Sequence, residues 1–115
     1  MTLSEIEEFA KANGTKISTT FFDTDNDRAK NHGIGTMWLN EIIVKPKQRH
    51  KGIGTKIIKM LQEYAKAEKL NIRLLACNCY GTDLENLYRF YYNLGFRYDR
   101  SERRTESSLY MIWEY

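Results

Sequence analysis

The chain has 115 residues, which is enough for one domain with a single hydrophobic core and too few for a second. Its 42% apolar and 29% charged residues are ordinary for a globular protein and exclude the disordered and fibrous classes. The net charge of +3 is too small to indicate nucleic-acid binding, and no apolar run is long enough to cross a membrane. We therefore expect one domain over residues 1–115, with neither a membrane nor a nucleic acid as its partner.

Apolar periodicity and turn signals predict three helices, over 3–12, 54–69 and 82–95, and strands at 16–24, 36–44, 70–79, 96–99 and 109–114. Capping boxes of Ser4 with Glu7 and of Thr82 with Glu85 mark two helix starts, and Gly95 marks a helix end. The polar stretch 23–35 is expected to be a hairpin loop. The strand at 70–79 is apolar enough to be buried on both faces. The expected order is α-β-β-β-α-β-α-β-β, in which the segment 16–44 is divided into three strands at positions that the pattern does not define, and the fold class is α/β (α+β).

The two cysteines, Cys77 and Cys79, lie two positions apart on one strand, where disulfide geometry is seldom reached. With no histidine nearby they also make a poor metal site, so we predict no metal. We expect a protein of the reducing cytoplasm.

A strand, a basic loop with two glycines and a helix start follow one another over residues 44–55. This order gathers free backbone N–H groups at the positive end of a helix dipole, which predicts an anion site. Two nucleotide motifs are excluded: Gly54 is followed by Thr55 and Lys56, the reverse of the P-loop order, and a dinucleotide fingerprint would need a glycine at Ile57.

Two motifs resemble those of the GNAT superfamily of N-acetyltransferases. Arg49-x-x-Gly52-x-Gly54 is similar to the Q/R-x-x-G-x-G/A motif of that family, and the segment 90–96, FYYNLGF, is similar to its F-Y-x-x-x-G-F segment. The resemblance runs from about Leu39 to Phe96. It implies a mixed, mostly antiparallel sheet with splayed central strands flanked by helices.

The resemblance also implies acetyl-CoA as the cofactor. Its pyrophosphate would lie on the loop N–H groups, and its pantetheine arm would pair with the splayed strand before the loop. On this basis the predicted cofactor-binding residues are Ile42, Ile43, Val44, Arg49, His50, Lys51, Gly52, Ile53, Gly54, Thr55 and Asn86. Asn86 is included as a substitute for an asparagine that many members carry where this chain has Leu84.

Two side chains are candidates for the proton transfers of acetylation. Tyr91 matches the tyrosine that protonates the leaving sulfur in the family, although it could also be an ordinary core tyrosine. Glu41 lies where some relatives hold an acidic residue near the incoming amine, although it could simply pair with a surface lysine.

The implied function is direct transfer of an acetyl group from acetyl-CoA to a primary amine in a ternary complex. The chain is shorter than usual members before the glycine loop, and an open acceptor site would suit a lysine or N-terminal amine of a protein. One alternative is a small-polyamine or other small-amine acetyltransferase, with Glu41 near an acidic rim of Asp23, Asp25 and Asp27. Another is a non-catalytic CoA-binding or interaction module. The exposed edge of so small a sheet also suggests a homodimer.

Overall fold

The computed structural model describes residues 2–22, 35–44, 52–77, 83–99 and 108–115. Within these ranges the chain forms helices α1 (Leu3–Ala12), α2 (Ile53–Glu68) and α3 (Leu84–Asn93), and strands β1 (Thr15–Phe22), β2 (Gly35–Val44), β3 (Leu70–Cys77), β4 (Arg97–Tyr98) and β5 (Ser108–Trp113).

The five strands form one sheet in the order β1-β2-β3-β5-β4. Only the central pair, β2 with β3, is parallel, because helix α2 connects those two strands as a crossover. The pairs β1–β2, β3–β5 and β4–β5 are antiparallel. The sheet is therefore mixed and mostly antiparallel, which confirms the predicted fold class.

One face of the sheet carries the hydrophobic core. Met37 and Leu39 of β2, Ile72 and Leu74 of β3 and Met111 of β5 are at most 3% exposed on this face. The helices add their apolar stripes to the same cluster: Ile6 and Ala10 from α1, Ile57, Ile58, Leu61 and Ala65 from α2, Leu84 and Tyr91 from α3. The predicted periodicity of α2 is thus confirmed, because its buried residues recur every three or four positions.

The opposite face of the sheet, which we call the second face, carries polar and aromatic side chains. Arg73 pairs in register with Trp38 and Ile112, so these three side chains share this face. The Arg73 Nε lies 3.5 Å from Asp99 Oδ2, and both side chains are less than one-tenth exposed. Trp38 and Tyr110 meet edge to face with ring centroids 5.8 Å apart, so their rings reach each other across β3.

The helix starts differ from those predicted by the capping boxes. The N-cap of α1 is Thr2, whose hydroxyl accepts a hydrogen bond from the Glu5 N–H at 3.2 Å, rather than Ser4. The N-cap of α3 is Asp83, which makes no side-chain capping bond. Glu85 forms an exposed ion pair with Arg89 one turn later, at 2.8 Å, and Thr82, its partner in the predicted box, lies outside the described residues.

The strands also depart from expectation in two places. Between α1 and α2 the described residues form two strands instead of three, and the predicted loop at 23–35 lies outside the described residues except for Gly35. The prediction that the strand at 70–79 is buried on both faces is wrong at Leu75, which is 43% exposed.

Candidate functional site

The two central strands separate at their carboxyl-terminal ends. Their parallel register runs from Gly35↔Leu70 to Leu39↔Leu74 and goes no further in the described part of the chain, although β2 continues to Val44 and β3 to Cys77. Each strand stays paired with its outer neighbour beyond that point, β2 with β1 and β3 with β5. The expected splay is therefore present. It leaves the edge of Ile42, Ile43 and Val44 that faces β3 without a strand partner among the described residues.

A β-bulge sets the direction of Glu41. Ser18 of β1 pairs with Glu41, but the next residue, Thr19, pairs with Leu39, so Asn40 is the extra residue of β2. Without the bulge, Glu41 would share the core face with Leu39, because side chains two positions apart in a strand point the same way. The extra residue turns Glu41 to the second face, beside the opening between the strands.

Glu41 has a cation partner on this face. Its Oε2 lies 3.6 Å from the Nζ of Lys16, and the two side chains are 24% and 72% exposed respectively. Lys16 stands opposite Ile43 in the β1–β2 register, which brings its side chain to the same face as Glu41. The ion pair that the sequence left as an alternative is therefore formed. An exposed pair of this kind is weak, so it does not prevent the carboxylate from meeting another cation.

The amino-terminal end of α2 lies at the end of the glycine loop. Its N-cap, Gly52, has φ +77° and ψ 9°, a left-handed conformation, and no side chain caps the helix. The first intrahelical bond runs from the Lys56 N–H to the Gly52 carbonyl at 3.0 Å. The N–H groups of residues 53–55 precede it and have no acceptor within the helix, and the first turn carries no acidic residue. This combination can hold an anion.

Helix α3 meets α2 at this end. A methyl group built on Gly54 would stand 3.6 Å from Cζ of Phe90, an ordinary contact distance. The carboxyl-terminal end of α3 is fixed to α2 as well, because Gln62 Nε2 donates to the Leu94 carbonyl at 2.6 Å. The two helices therefore hold the start of α2 and the side chains of α3 in one fixed arrangement.

Tyr91 belongs to the core on the helix side of the sheet. Its side chain is 5% exposed, and its ring contacts those of Phe90 and Phe96, with centroids 5.0 and 5.5 Å apart. Burial raises the pKa of its hydroxyl to about 12, because the phenolate would lose its hydration. At neutral pH Tyr91 is therefore protonated and has a proton to donate. Both interpretations made from the sequence, core residue and proton donor, are compatible with this position.

A Schellman motif fixes the turn after Tyr91. The Phe96 N–H donates to the Tyr91 carbonyl and the Gly95 N–H to the Tyr92 carbonyl, both at 3.0 Å. Gly95 has φ +97°, as predicted for the C′ position. A Cβ at Gly95 would stand 3.2 Å from Cδ1 of Trp113, so the glycine is required for space as well as for conformation.

Leu84 and Asn86 lie on different sides of α3. Leu84 is buried in the core, in line with Tyr91 two turns later. Asn86 is exposed and lies one turn before Phe90 on the same side of α3. The ring of Phe90 lies beside Gly54. Asn86 therefore does not take the position of the replaced asparagine, which is that of Leu84. Its predicted contact with the cofactor stays a prediction.

Several predicted residues cannot be placed. Arg49, His50 and Lys51 lie outside the described residues, and of Val44 the structure describes the backbone alone. The structure places the other predicted residues as follows: Ile42 and Ile43 at the splayed edge, Gly52, Ile53, Gly54 and Thr55 at the start of α2, Tyr91 on the helix side of the sheet, and Glu41 on the second face.

The sequence interpretation missed three residues on the second face. Leu75, Trp38 and Tyr110 lie beside the opening, and none belongs to the core cluster. Leu75 follows directly after the last β2–β3 pair and is 43% exposed. The sequence gives no signal for the exposure of Leu75, because residues 74–76 are all apolar and an uninterrupted apolar run conceals which face is covered.

The described part of the chain contains no group of three or more His, Cys, Asp or Glu residues that could hold a metal ion. Among its helices, none is long and apolar enough to cross a membrane.

Comparison with protein families gives one match. The family described as "Acetyltransferase (GNAT) domain" matches residues 6–98, which is most of the chain. A comparison with curated protein sequences finds no match.

Solved structures of several acetyltransferases resemble the fold. The PaiA N-acetyltransferase of Thermoplasma acidophilum, in complex with coenzyme A, is 23% identical with a TM-score of 0.55, over 70% of this chain and 46% of that chain. Arabidopsis thaliana Naa50, bound to the bisubstrate analogue CoA-Ac-MVNAL, is 14% identical with a TM-score of 0.63, over 99% and 82%. The anti-CRISPR protein AcrVA5 is 20% identical with a TM-score of 0.58, over 84% and 99%. The chain thus spans about half of the PaiA enzyme.

Proposed function

Because the chain belongs to the GNAT family of acetyltransferases, we propose that it transfers an acetyl group from acetyl-CoA to a primary amine of a protein, at an N-terminus or a lysine. The observation that carries the proposal is the opening between β2 and β3, which has Glu41 on one face of the sheet and Tyr91 on the other. A cytoplasmic location is part of the same proposal, since that is where such a reaction would find its acetyl donor.

Backbone N–H groups at the start of α2 and at the splayed edge of β2 support acetyl-CoA as the cofactor. When bound, acetyl-CoA supplies the acetyl group as a thioester and carries several phosphate charges. The N–H groups of Ile53, Gly54 and Thr55 would take the pyrophosphate, assisted by the predicted loop residues Arg49, His50, Lys51 and Gly52. The unpaired edge of Ile42, Ile43 and Val44 would bond the pantetheine amides as an added strand would. Asn86, an exposed side chain of α3, would add a further polar contact to the cofactor.

In the proposed mechanism, Glu41 carries out one proton transfer on the second face of the sheet, and Tyr91 carries out the other on the helix side. On the second face, the amine nitrogen loses a proton to Glu41, directly or through water, and forms a bond to the carbonyl carbon. The carbon–sulfur bond would then break, with its electron pair staying on sulfur. Tyr91, protonated at neutral pH, would give its proton to that sulfur and regain one from solvent, and Glu41 would release the amine proton to solvent. Backbone N–H groups at the splayed edge are the natural donors to the carbonyl oxygen.

Two structural relatives support a protein acceptor. The Naa50 structure holds an analogue that joins CoA to the peptide MVNAL, and a structure of the NatC complex holds a Gag peptide with CoA. A site open on the second face would admit such a chain end.

Calorimetric titration with acetyl-CoA tests the cofactor half of the proposal. We expect binding in the micromolar range, and much weaker binding of S-acetylpantetheine, which lacks the pyrophosphate. No binding of acetyl-CoA at high micromolar concentrations would overturn the proposal. Equal binding of both compounds would remove the start of α2 from the site.

A non-catalytic CoA-binding module is the second candidate, because Leu84 is buried where many relatives place a polar contact. Substitution of Tyr91 by phenylalanine separates the two. If the protein is an enzyme, Tyr91→Phe should bind acetyl-CoA normally and lose roughly two to four orders of magnitude in turnover. A wild-type protein that binds acetyl-CoA but acetylates no amine would be a binding module.

A further inference from the structure

An apolar patch flanks the opening on the second face. It consists of Leu75, Trp38 and Tyr110, and we call it the second-face patch. Leu75 is the least expected member, because it lies in β3, a strand with neighbours on both sides, and its sequence neighbours Leu74 and Ala76 are each 2% exposed. A leucine 43% exposed at such a position leaves apolar surface in water unless something covers it.

The patch is continuous with the proposed acceptor side. Leu75 pairs in register with Tyr110, whose ring meets that of Trp38 across β3. Within the described residues the β2–β3 pairing ends at Leu39 and Leu74, and Leu75 and Glu41 both lie beyond that point, so the two residues flank the same opening on the same face. The opening therefore has a carboxylate on one flank and an apolar surface on the other.

We propose that the acceptor is the α-amino group of a peptide whose first residue has a large apolar side chain, and that the second-face patch receives this side chain. The inference rests on the proposed function and narrows its substrate. An α-amine carries its side chain one carbon away from the nitrogen, so a surface directly beside the opening touches it. A lysine amine ends a linear chain and has no side group at that distance.

The ionisation of the acceptor favours the same substrate. An α-amine has a pKa of about 7.7–8.0 and a lysine amine about 10.4, so at pH 7.5 roughly a third of the first is neutral and only about 0.1% of the second. Glu41, the acidic residue beside the opening in the described part of β2, already shares its charge with Lys16 at 3.6 Å. An acceptor that is largely neutral requires less from this carboxylate.

The test compares peptides that differ only in their first residue, Leu, Met, Ser or Asp, with an N-terminally blocked peptide that contains one lysine. Release of the CoA thiol gives kcat/KM for each. We expect the Leu and Met peptides to exceed the Ser and Asp peptides by about 10-fold or more, since one pocket contact of this kind discriminates by roughly that factor. The lysine peptide should be slower still.

Substitution of Leu75 locates the discrimination. Leu75→Ser should remove most of the preference for the Leu and Met peptides over the Ser peptide, with the affinity for acetyl-CoA unchanged. Tyr115→Ser is the matched control, because Tyr115 is similarly exposed, at 46%, and lies at the chain end. Equal or faster acetylation of the lysine or Ser peptide by the wild-type protein would overturn the inference while the proposed function stands. If the wild-type protein does not bind acetyl-CoA, both the inference and the proposed function are overturned.

Discussion

Glu41 and Tyr91 lie on opposite faces of one sheet. Tyr91 is buried in the core with the helices, and Glu41 is turned to the other face by the bulge at Asn40. Where β2 and β3 are paired, backbone hydrogen bonds close the sheet between its two faces. The two faces are therefore connected where β2 and β3 separate. This relationship gives each proton transfer its own side of the sheet.

Glu41 and Lys16 provide a pair of variants that separates catalysis from ion pairing. Each of Glu41→Gln and Lys16→Gln breaks the 3.6 Å ion pair and should change the free energy of unfolding by less than about 1 kcal/mol, since the pair is exposed. Only Glu41→Gln removes the proposed base, so it alone should lower kcat, by roughly 10²-fold or more.

The measurement is kcat at neutral pH with one peptide acceptor, alongside urea unfolding. If both variants keep the wild-type kcat, Glu41 serves only the ion pair with Lys16.

Tyr91 should make the stability of the protein fall at high pH. Its pKa is raised from 10.0 to about 12 by burial, so between these values the unfolded chain releases the phenol proton while the folded protein retains it. The stabilisation is complete below pH 10 and is lost as the pH rises through about 12. Its size is on the order of 2–3 kcal/mol, at 1.36 kcal/mol per pKa unit.

Urea unfolding from pH 9 to 12 of the wild type and of Tyr91→Phe measures this contribution as a difference. The variant should decline less steeply than the wild type. Parallel curves would show that the hydroxyl of Tyr91 is not buried in the folded protein.

The two glycines at the start of α2 should respond differently to alanine. Gly52 has φ +77°, so Gly52→Ala should cost about 1–2 kcal/mol of stability although its Cβ would meet nothing within 4 Å. Gly54 is helical, and its Cβ would stand at an ordinary 3.6 Å from Phe90, so Gly54→Ala should leave stability unchanged or slightly higher.

Binding of acetyl-CoA should tolerate alanine at Gly54. The motif that this segment resembles admits glycine or alanine at this position, and the added methyl group would make an ordinary contact with Phe90, so we expect Gly54→Ala to bind acetyl-CoA like the wild type at unchanged stability. Thermal unfolding and calorimetry together test this. Much weaker binding by Gly54→Ala at unchanged stability would contradict this prediction.

The buried ion pair between Arg73 and Asp99 should dominate the stability of the second face. The Arg73 Nε and the Asp99 Oδ2 lie 3.5 Å apart, and this contact is electrostatic, since it is not a hydrogen bond. Arg73→Met or Asp99→Asn alone should cost about 3–5 kcal/mol, because each removes one partner of a buried ion pair and leaves the other charge buried.

The double variant should cost clearly less than the sum of the two single variants. Urea denaturation of all four proteins gives the coupling energy. Strict additivity would mean that the two side chains do not interact.

Much of the fold could be predicted from local pattern. The stripe of α2 and the C′ role of Gly95 were visible because each depends on residues close in sequence. The helix starts were less visible, because Thr2 and Ser4 can both cap a helix and the choice between them depends on how α1 packs.

The motifs of the candidate site could be recognised in the sequence. The face of the sheet to which each side chain points could not. No local sequence signal marks Asn40 as a bulge, because the register of β1 on β2 decides which residue is extra. That register shift moves the side chain of Glu41 from the core face to the second face. The exposure of Leu75 depends on where β2 leaves β3, which is a property of two strands far apart in sequence.

The most direct test of the central claim is mass spectrometry of a peptide with a free leucine N-terminus after incubation with the protein and acetyl-CoA. Tyr91→Phe serves as the control protein. We predict that the peptide gains the mass of one acetyl group at a rate proportional to wild-type enzyme, and far more slowly with the variant. A peptide that stays unmodified under saturating acetyl-CoA, or is modified equally by both proteins, would contradict the account.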